Sequence, residues 1–321
     1  MHTQATPRVG GLAIFISFTT SYWFAPALVT EAYGQFIMAA SILFFVGFLE
    51  DLGFGISPRL RLAAATLASL VAILLLGVWL PRIDIPGFDA FMGRAWFGVP
   101  ITLLVTVGIA NGFNLIDGVN GLASFTAVIA AVGLSLIAYQ ADYPVMVELA
   151  LMLAAVVFGF FLINFPFGFI FLGDAGAYTL GFVLSWFGIA VLLESPQASP
   201  WAVLLTMFWP VADTLLAIYR RSRRKADAMA PDRLHVHQMV MRGLEICFLG
   251  RQKRRFANPL TTLILAPFVI APPLAGVVFW NQTVAAFTAV VIFSVVFFAS
   301  YWVAPKLISH CRVRPCHAET P

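Results

Sequence analysis

Long, nearly uninterrupted runs of apolar side chains restrict the fold of this chain more than any other feature. Hydrocarbon offers no water to backbone N–H and C=O groups, so a chain that enters it must form helices or a closed β-barrel. A barrel would alternate apolar and polar residues, whereas these runs are continuous. Only 11% of the 321 residues are charged, against about 25% in a soluble domain. The sequence therefore predicts an all-α, polytopic integral membrane protein.

The apolar runs divide into about ten transmembrane helices, because a span needs about 20 apolar residues. The second and fourth runs are short for this purpose. We treat the chain, 1–321, as a single membrane-embedded domain, with the lipid bilayer as its surroundings. The expected spans are 10–30, 36–49, 60–80, 98–114, 121–140, 146–164, 177–194, 199–219, 259–280 and 284–304.

Basic residues orient the predicted helices. Eleven of the 19 Lys and Arg residues lie in the segment 220–257, which we expect to be a basic loop on the cytoplasmic side. Alternation of the spans then puts only Arg82 and Arg94 on the outer side. The same alternation brings four polar clusters to the cytoplasmic face. This shared face indicates a functional site there.

The first cluster is the acidic pair Glu50-Asp51 at the end of the second span. Two adjacent carboxylates followed by basic residues suit a metal–phosphate site or a proton acceptor. Repulsion between the two charges can raise the pKa of one of them. A hydrated helix end that happens to carry charge is the alternative interpretation.

The second cluster is the stretch NGFNLIDGVNGL, between the fourth and fifth spans. Asn111, Asn114 and Asp117 recur every three residues, so a helix would place them along one stripe. Gly118 and Gly121 permit close backbone approach or an interrupted helix. A polar seam between packed helices is the alternative, although the added aspartate argues against it.

The third cluster centres on Asp174, which follows an aromatic run, is flanked by glycines and opens the seventh span. A carboxylate suits Mg²⁺, which commonly takes one or two protein carboxylates and fills its other positions with water and substrate phosphates. An ordinary helix N-cap is the alternative role for an aspartate at this position.

The fourth cluster is PDRLHVHQ, within the basic loop. Arg233, His235 and His237 offer anion contacts and proton donors, whereas two histidines without cysteine make a poor zinc signature. For the basic run 220–225, contact with anionic lipid headgroups is the simpler interpretation. Asp213, in the eighth span, either borders the same polar chamber or pairs with a nearby arginine.

In their order along the chain, these motifs resemble the polyprenyl-phosphate N-acetylhexosamine-1-phosphate transferases of glycosyltransferase family 4, such as the undecaprenyl-phosphate GlcNAc-1-phosphate transferases. The matching stretches are PRVGGLAIF, the acidic pair, NxxNxxDGxxGL, FLGDAG and DRxHxHQ, within residues 7–243. The resemblance implies a bacterial inner-membrane enzyme with a cytoplasmic-face active site. Such an enzyme would transfer N-acetylhexosamine 1-phosphate from a UDP-sugar, with UDP-GlcNAc or a relative expected, to undecaprenyl phosphate. UMP would leave, and synthesis of a cell-envelope polysaccharide such as O-antigen would begin.

The resemblance also implies roles for the polar residues. Asp174 would bind Mg²⁺, for which Mn²⁺ is the expected substitute, while Glu50 and Asp51 would act at the acceptor phosphate. Asp117 is the third expected catalytic residue. The family implies no nucleic-acid partner and leaves a homodimer open. The residues expected to contact the nucleotide sugar or its pyrophosphate are Asn111, Asn114, Asp117, Asn120, Arg233, His235 and His237.

The chain departs from the family pattern at several positions. Glu50 stands where aspartate is common, and Asn120 replaces the second acid of a DGxDG pattern. Gln238 is a milder difference, because relatives carry either His or Gln there. Family members typically have another span and a basic segment ahead of the stretch that begins here at His2. We therefore expect one native N-terminal helix to be missing.

Two alternative functions stay open at this level. The carboxylate lost at Asn120 raises the hypothesis of a catalytically impaired relative. A membrane transporter is the alternative from another class, because intramembrane Asp and Asn can bind ions. Transporter sites usually lie near the bilayer midplane at the interface of repeats, whereas these polar clusters share one face and no repeat is visible.

Overall fold

A computed structural model of the protein describes residues 6–25, 29–224 and 235–313, and within these ranges it contains helices and no β-strand. The predicted all-α class is confirmed. The helices are α1 (Gly10–Thr20), α2 (Thr30–Asp51), α3 (Pro58–Leu76), α4 (Asp89–Met92), α5 (Ala95–Ile116), α6 (Leu122–Gln140), α7 (Pro144–Asn164), α8 (Gly173–Glu194), α9 (Pro200–Thr206), α10 (Phe208–Arg224), α11 (Val236–Leu244), α12 (Arg254–Val278) and α13 (Thr283–Val313).

Among the described residues, eight helices are long and apolar enough to cross a membrane: α2, α3, α5, α6, α7, α8, α12 and α13. Each corresponds to one of the expected spans. The polytopic character of the chain is therefore confirmed.

The other two expected spans differ from continuous helices. The first, 10–30, corresponds to the 11 residues of α1 and one 3₁₀ turn, Ser21–Phe24. Together these measure about 25 Å, a little less than the roughly 30 Å hydrocarbon core. The eighth corresponds to α9 and α10, which meet at 86°. Pro210 lies just after the break and has no N–H to donate to the carbonyl of Thr206, which favours a kink at this point.

Helix α8 lies at the centre of the bundle, and 89% of its most apolar stretch is buried. Small residues let its neighbours approach closely. A Cβ added at Gly176 would meet the backbone of Gly11 on α1, and one added at Gly181 would meet the backbone of Ala110 on α5. A Cβ at Gly47 on α2 would likewise meet the backbone around Ala175. This close packing determines where the N-terminus of α8 lies.

Polar contacts also tie together the opposite end of the bundle. Arg82 donates hydrogen bonds to the carbonyls of Leu192 (2.9 Å), Ser195 (3.1 Å) and Ala198, just beyond or at the end of α8. Asp89 accepts the backbone N–H of Ile83 at 2.8 Å. These contacts are structural and lie far along α8 from Asp174.

The segment 220–257, expected as a basic loop, contains regular structure. Helix α10 continues to Arg224, α11 spans Val236–Leu244, and α12 already begins at Arg254. Residues 225–234, including the predicted site residue Arg233, lie outside the described part of the chain.

Candidate active site

The acidic end of α2 meets the first turn of α8. The carboxylate of Asp51 accepts the backbone N–H groups of Asp174 and Ala175, both at 2.9 Å. A helix N-terminus has unpaired N–H donors and a partial positive charge, so a carboxylate is stabilised there. Gly173 makes the approach possible, because its φ is +75° and an added Cβ would overlap the Asp51 carboxylate. Two predicted site residues, Asp51 and Asp174, are thus in direct contact.

The side chain of Asp174 faces α3 and α5. Its Oδ2 forms an ion pair with Nη1 of Arg61, and its Oδ1 accepts a hydrogen bond of 3.1 Å from the amide of Asn114. Each of the ion-pair side chains keeps 17% of its surface exposed. The hydrogen bonds do not support the N-cap alternative: Asp51 accepts the amides of the α8 start, while the Asp174 side chain is directed to other elements.

Asp117 follows the last residue of α5 and lies beside the same carboxylates. Burial of its carboxyl, and then the charges of Asp174 and Asp51, raise its pKa to about 7, while Arg8 and the backbone N–H of Gly173 act in the opposite direction. Asp51, Asp117 and Asp174 form what we term the carboxylate cluster.

The N-terminal segment places one further cation at this cluster. Gly10 and Gly11 donate backbone hydrogen bonds to Phe171 (3.0 Å) and Leu172 (2.8 Å), just before α8. Arg8, exposed on this segment, is near enough for its charge to lower the pKa of Asp117. The sequence motif PRVGG contains Arg8. Because more than 40 residues separate Arg8 from the acids, the sequence alone does not predict that they lie close together.

The two histidines of the fourth cluster are buried and stacked against each other. Their rings are 5.8 Å apart between centroids, at 12°. Nδ1 of His235 lies 2.7 Å from Oδ2 of Asp213. The sequence leaves Asp213 either bordering the chamber or pairing with an arginine, and in the structure its side chain pairs with a histidine. We term His235 and His237 the histidine pair.

His237 connects this pair to the carboxylate cluster. A Cβ added at Gly118 would overlap Nε2 of His237, so the ring lies directly against the residue that follows Asp117. Among the described residues, neither ring nitrogen of His237 has a hydrogen-bond partner. Burial lowers the pKa of His237 to about 4. The ring is therefore neutral at pH 7, with two polar atoms unsatisfied.

The remaining predicted residues are placed differently. Glu50 accepts the backbone N–H of Ile56 with Oε2, which closes the turn after α2. Asn111 is half-buried and lies one turn before Asn114 on α5. Neither position tests the role that the family resemblance implies, so both roles stay predictions.

Asn120 is buried within a network of structural contacts. Its amide donates to the carbonyl of Pro166 at 2.9 Å, its backbone N–H donates to Oδ1 of Asn258 at 2.7 Å, and its carbonyl accepts the hydroxyl of Thr262 at 2.7 Å. These bonds tie the loop before α6 to the loop before α8 and to α12. The predicted nucleotide-sugar contact of Asn120 stays a prediction.

The carboxylate cluster is compatible with a hard divalent cation. Within the described residues, no three His, Cys, Asp or Glu side chains form a metal-binding group. Mg²⁺ does not require one, because it commonly takes one or two protein carboxylates together with substrate phosphates and water. The oxygen-rich set of Asp174 and Asp117, with the amide of Asn114, fits that preference.

Comparison with known proteins identifies the family. Glycosyl transferase family 4 matches residues 33–192. A probable undecaprenyl-phosphate N-acetylglucosaminyl 1-phosphate transferase of Bacillus subtilis is 30% identical over 243 residues, 75% of this chain and 67% of that protein. The undecaprenyl-phosphate alpha-N-acetylglucosaminyl 1-phosphate transferase of Yersinia pestis is 25% identical over 252 residues, covering 75% and 67%. A decaprenyl-phosphate N-acetylglucosaminephosphotransferase of Mycobacterium tuberculosis is 26% identical over 311 residues, covering 88% and 74%. The chain belongs to glycosyl transferase family 4.

Proposed function

We propose that this protein transfers N-acetylglucosamine 1-phosphate, or a related N-acetylhexosamine 1-phosphate, from a UDP-sugar to undecaprenyl phosphate. UMP is the second product, and the lipid-linked sugar initiates a cell-envelope polysaccharide. The names of the three relatives support the sugar phosphate and the polyprenyl-phosphate acceptor. Family membership favours this transferase function over the transporter alternative.

The observation that carries the proposal is the meeting of Asp51, Asp117 and Asp174 with cations at one end of the bundle. Arg61 contacts Asp174 directly, and the charge of Arg8 is felt by Asp117. Arginine is well suited to phosphate, because its planar guanidinium presents paired N–H donors. The site therefore has cationic groups for a diphosphate and carboxylates for a cation, as a phosphotransfer site requires.

In the proposed reaction, an oxygen of the carrier phosphate attacks the β-phosphorus of the UDP-sugar. A new P–O bond forms there, and the bond from the β-phosphorus to the bridging oxygen breaks, so that UMP leaves with that bonding pair. Mg²⁺ held by Asp174 would neutralise charge on the diphosphate and the leaving group. Mn²⁺ is the expected substitute.

The residues of the chain have distinct parts in this reaction. Arg61 and Arg8 bind and orient the phosphates by their charge. Asp117, a carboxylate beside Asp174, can accept a proton from a monoprotonated carrier phosphate. Asp51 holds the start of α8 and thereby the position of Asp174. The histidine pair contacts the nucleotide sugar next to Gly118.

We also propose that the site lies on the cytoplasmic face of the bacterial inner membrane. The segment 220–257 carries eleven Lys and Arg residues, and the histidine pair lies at the start of α11 within it. Positive residues favour the cytoplasmic side, where nucleotide sugars are made. This orientation lets the soluble donor and the membrane-bound acceptor reach the same residues.

The test is release of UMP by the purified protein. The full chain in detergent is incubated with undecaprenyl phosphate and a panel of UDP-sugars, with Mg²⁺, Mn²⁺ or EDTA. We expect acceptor-dependent UMP release with at least one UDP-N-acetylhexosamine, and none in EDTA. Absence of release with every sugar and both metals would refute the function. Equal release in EDTA would refute the metal requirement alone.

A further inference from the structure

Asp213 is a fully buried carboxylate, with 0% of its surface exposed. It lies on α10, outside the four polar clusters that the sequence singles out. Oδ2 is 2.7 Å from Nδ1 of His235, and Oδ1 accepts the backbone N–H of Val236 at 3.3 Å. The carboxylate therefore holds both the ring of His235 and the first residue of α11. Burial of a carboxylate is unfavourable unless such partners compensate for its lost hydration.

The contact determines the chemical state of the His235 ring. An ionised carboxylate can only accept hydrogen bonds, so Nδ1 of His235 must carry the proton that lies between the two groups. The other ring nitrogen, Nε2, is then the one left for a ligand. A carboxylate that holds one nitrogen of a histidine commonly sets the ring's tautomer and orientation in this way.

The effect of Asp213 extends to the carboxylate cluster through the stacked rings. His235 stacks on His237, and His237 lies against Gly118, next to Asp117. A continuous series of contacts thus runs from α10, through the histidine pair, to the end of α5. Through His235 and Val236, Asp213 also connects α10 directly to the start of α11.

We propose that Asp213 is a positioning residue for the histidine pair: it orients the ring of His235 through Nδ1 and thereby places both rings at the nucleotide-sugar site beside Gly118. This inference rests on the proposed function, since it takes the histidine pair to contact the donor. Asp213 itself does not touch the substrate.

Kinetics of Asp213→Asn test the proposal. An asparagine keeps an oxygen and nearly the same volume but loses the charge, so it preserves most of the packing. We expect kcat/KM for the UDP-sugar to fall by about 10- to 100-fold, because a ring displaced by about 1 Å loses its productive contact with the donor. Asp89→Asn is the matched control, because it alters a structural carboxylate at the opposite end of the bundle. It should leave kcat/KM unchanged.

A double variant separates positioning from general stability. If Asp213 acts through His235, then Asp213→Asn should cause little further loss in a His235→Ala background. The proposal would be overturned if the double variant lost kcat/KM by the product of the two single-variant losses. It would also be overturned if Asp213→Asn had wild-type kinetics. A thermal unfolding temperature similar to that of Asp89→Asn would show that the kinetic loss is specific.

A spectroscopic measurement keeps the proposal testable even if Asp213→Asn does not fold. In ¹⁵N spectra of the histidine-labelled wild-type protein, the signals of His235 are assigned by their loss in His235→Gln. We expect Nδ1 of His235 to be protonated at pH 7, and an unprotonated Nδ1 would overturn the proposal. This readout does not depend on turnover, so a wild-type protein that releases no UMP would count against the proposed function, while the spectrum still decides the role of Asp213.

Discussion

The carboxylate of Asp51 accepts the backbone N–H of Asp174 at 2.9 Å, so the end of α2 caps the start of α8. The family resemblance implies separate roles for these two residues, one at the acceptor phosphate and one at the metal. In the structure they form one unit, because the position of Asp174 depends on a bond that Asp51 makes. Substitutions at Asp51 should therefore also act through Asp174.

Asp51→Asn should lower both stability and turnover. An amide offers only one oxygen to the two N–H donors of Asp174 and Ala175, so one donor would face an NH₂ group. An unsatisfied donor of this kind costs about 1–3 kcal/mol. Glu50→Gln is the stability control, since it keeps an oxygen for the N–H of Ile56. Thermal unfolding in detergent measures the difference, and equal stability of Asp51→Asn and wild type would contradict the capping role.

Asp174→Asn should abolish turnover with a much smaller effect on folding. Loss of the carboxylate removes the proposed Mg²⁺ ligand and the partner of Arg61. Several kcal/mol of transition-state stabilisation correspond to a rate loss of about 1000-fold or more. UMP release is measured over a Mg²⁺ titration, because excess metal should not restore a rate that depends on this ligand. Near-normal turnover would remove Asp174 from the metal role.

Gly118→Ala should disturb the ring of His237. The added methyl would overlap Nε2 of the ring, so the ring must move, and we expect kcat/KM to fall by about 10-fold or more. In a His237→Ala background the same substitution should have little further effect. Gly108→Ala is the matched control on α5, because no described atom outside its own helix lies within 4 Å of an added Cβ. A Gly118→Ala enzyme with wild-type kinetics would exclude close packing of His237 against this loop.

His237 should make the folded protein sensitive to acid. Its pKa is lowered to about 4 in the folded state, against about 6.5 in an unfolded chain. The unfolded state therefore binds this proton first, so the contribution of His237 to stability is complete above pH 6.5 and is lost as the pH falls to 4. The loss is on the order of 3 kcal/mol. Unfolding of wild type and His237→Gln is compared from pH 7 to pH 4. The same pH dependence in both proteins would contradict the assignment.

Asn120→Ala should destabilise the protein. The substitution removes the amide that donates to the carbonyl of Pro166, and the loss of a buried hydrogen bond of this kind costs about 1–3 kcal/mol. We expect a lower unfolding temperature, with the KM for the UDP-sugar nearly unchanged at temperatures where the variant is folded. A raised KM in a protein of unchanged stability would instead support the predicted nucleotide-sugar contact.

The sequence predicts the composition of the site better than its connections. Hydropathy and polar motifs place Asp51, Asn114, Asp117, Asp174 and the histidine pair at the same side of the membrane, and the structure brings them near one another. That Asp51 caps α8 cannot be predicted, since the contact depends on how α2 and α8 pack. The proximity of Arg8 to the carboxylate cluster cannot be predicted for the same reason, although the PRVGG motif that contains Arg8 is easily recognised in the sequence.

The same contrast applies to the fold: the sequence predicts where the helices lie but not how they bend or meet. Continuous hydropathy predicts a straight eighth span, but it does not report whether the backbone hydrogen bonds are continuous. Pro210 is the available local signal for the break between α9 and α10, while Pro200 marks the start of α9. The partner of Asp213 is ambiguous in sequence, because the bend and the start of α11 together decide whether a histidine or an arginine reaches it.

The glycine-lined packing of α8 means that this site can be damaged from within the lipid-embedded core. Gly181 lies about 10 Å along the helix axis from Asp174, and it packs directly against the backbone of α5 at Ala110. Asn114 and Asp117 follow Ala110 by only one or two turns. A larger side chain at Gly181 would wedge apart the two helices that carry these residues. A genetic screen for loss of function would therefore recover lesions in the middle of the bilayer that never touch a substrate.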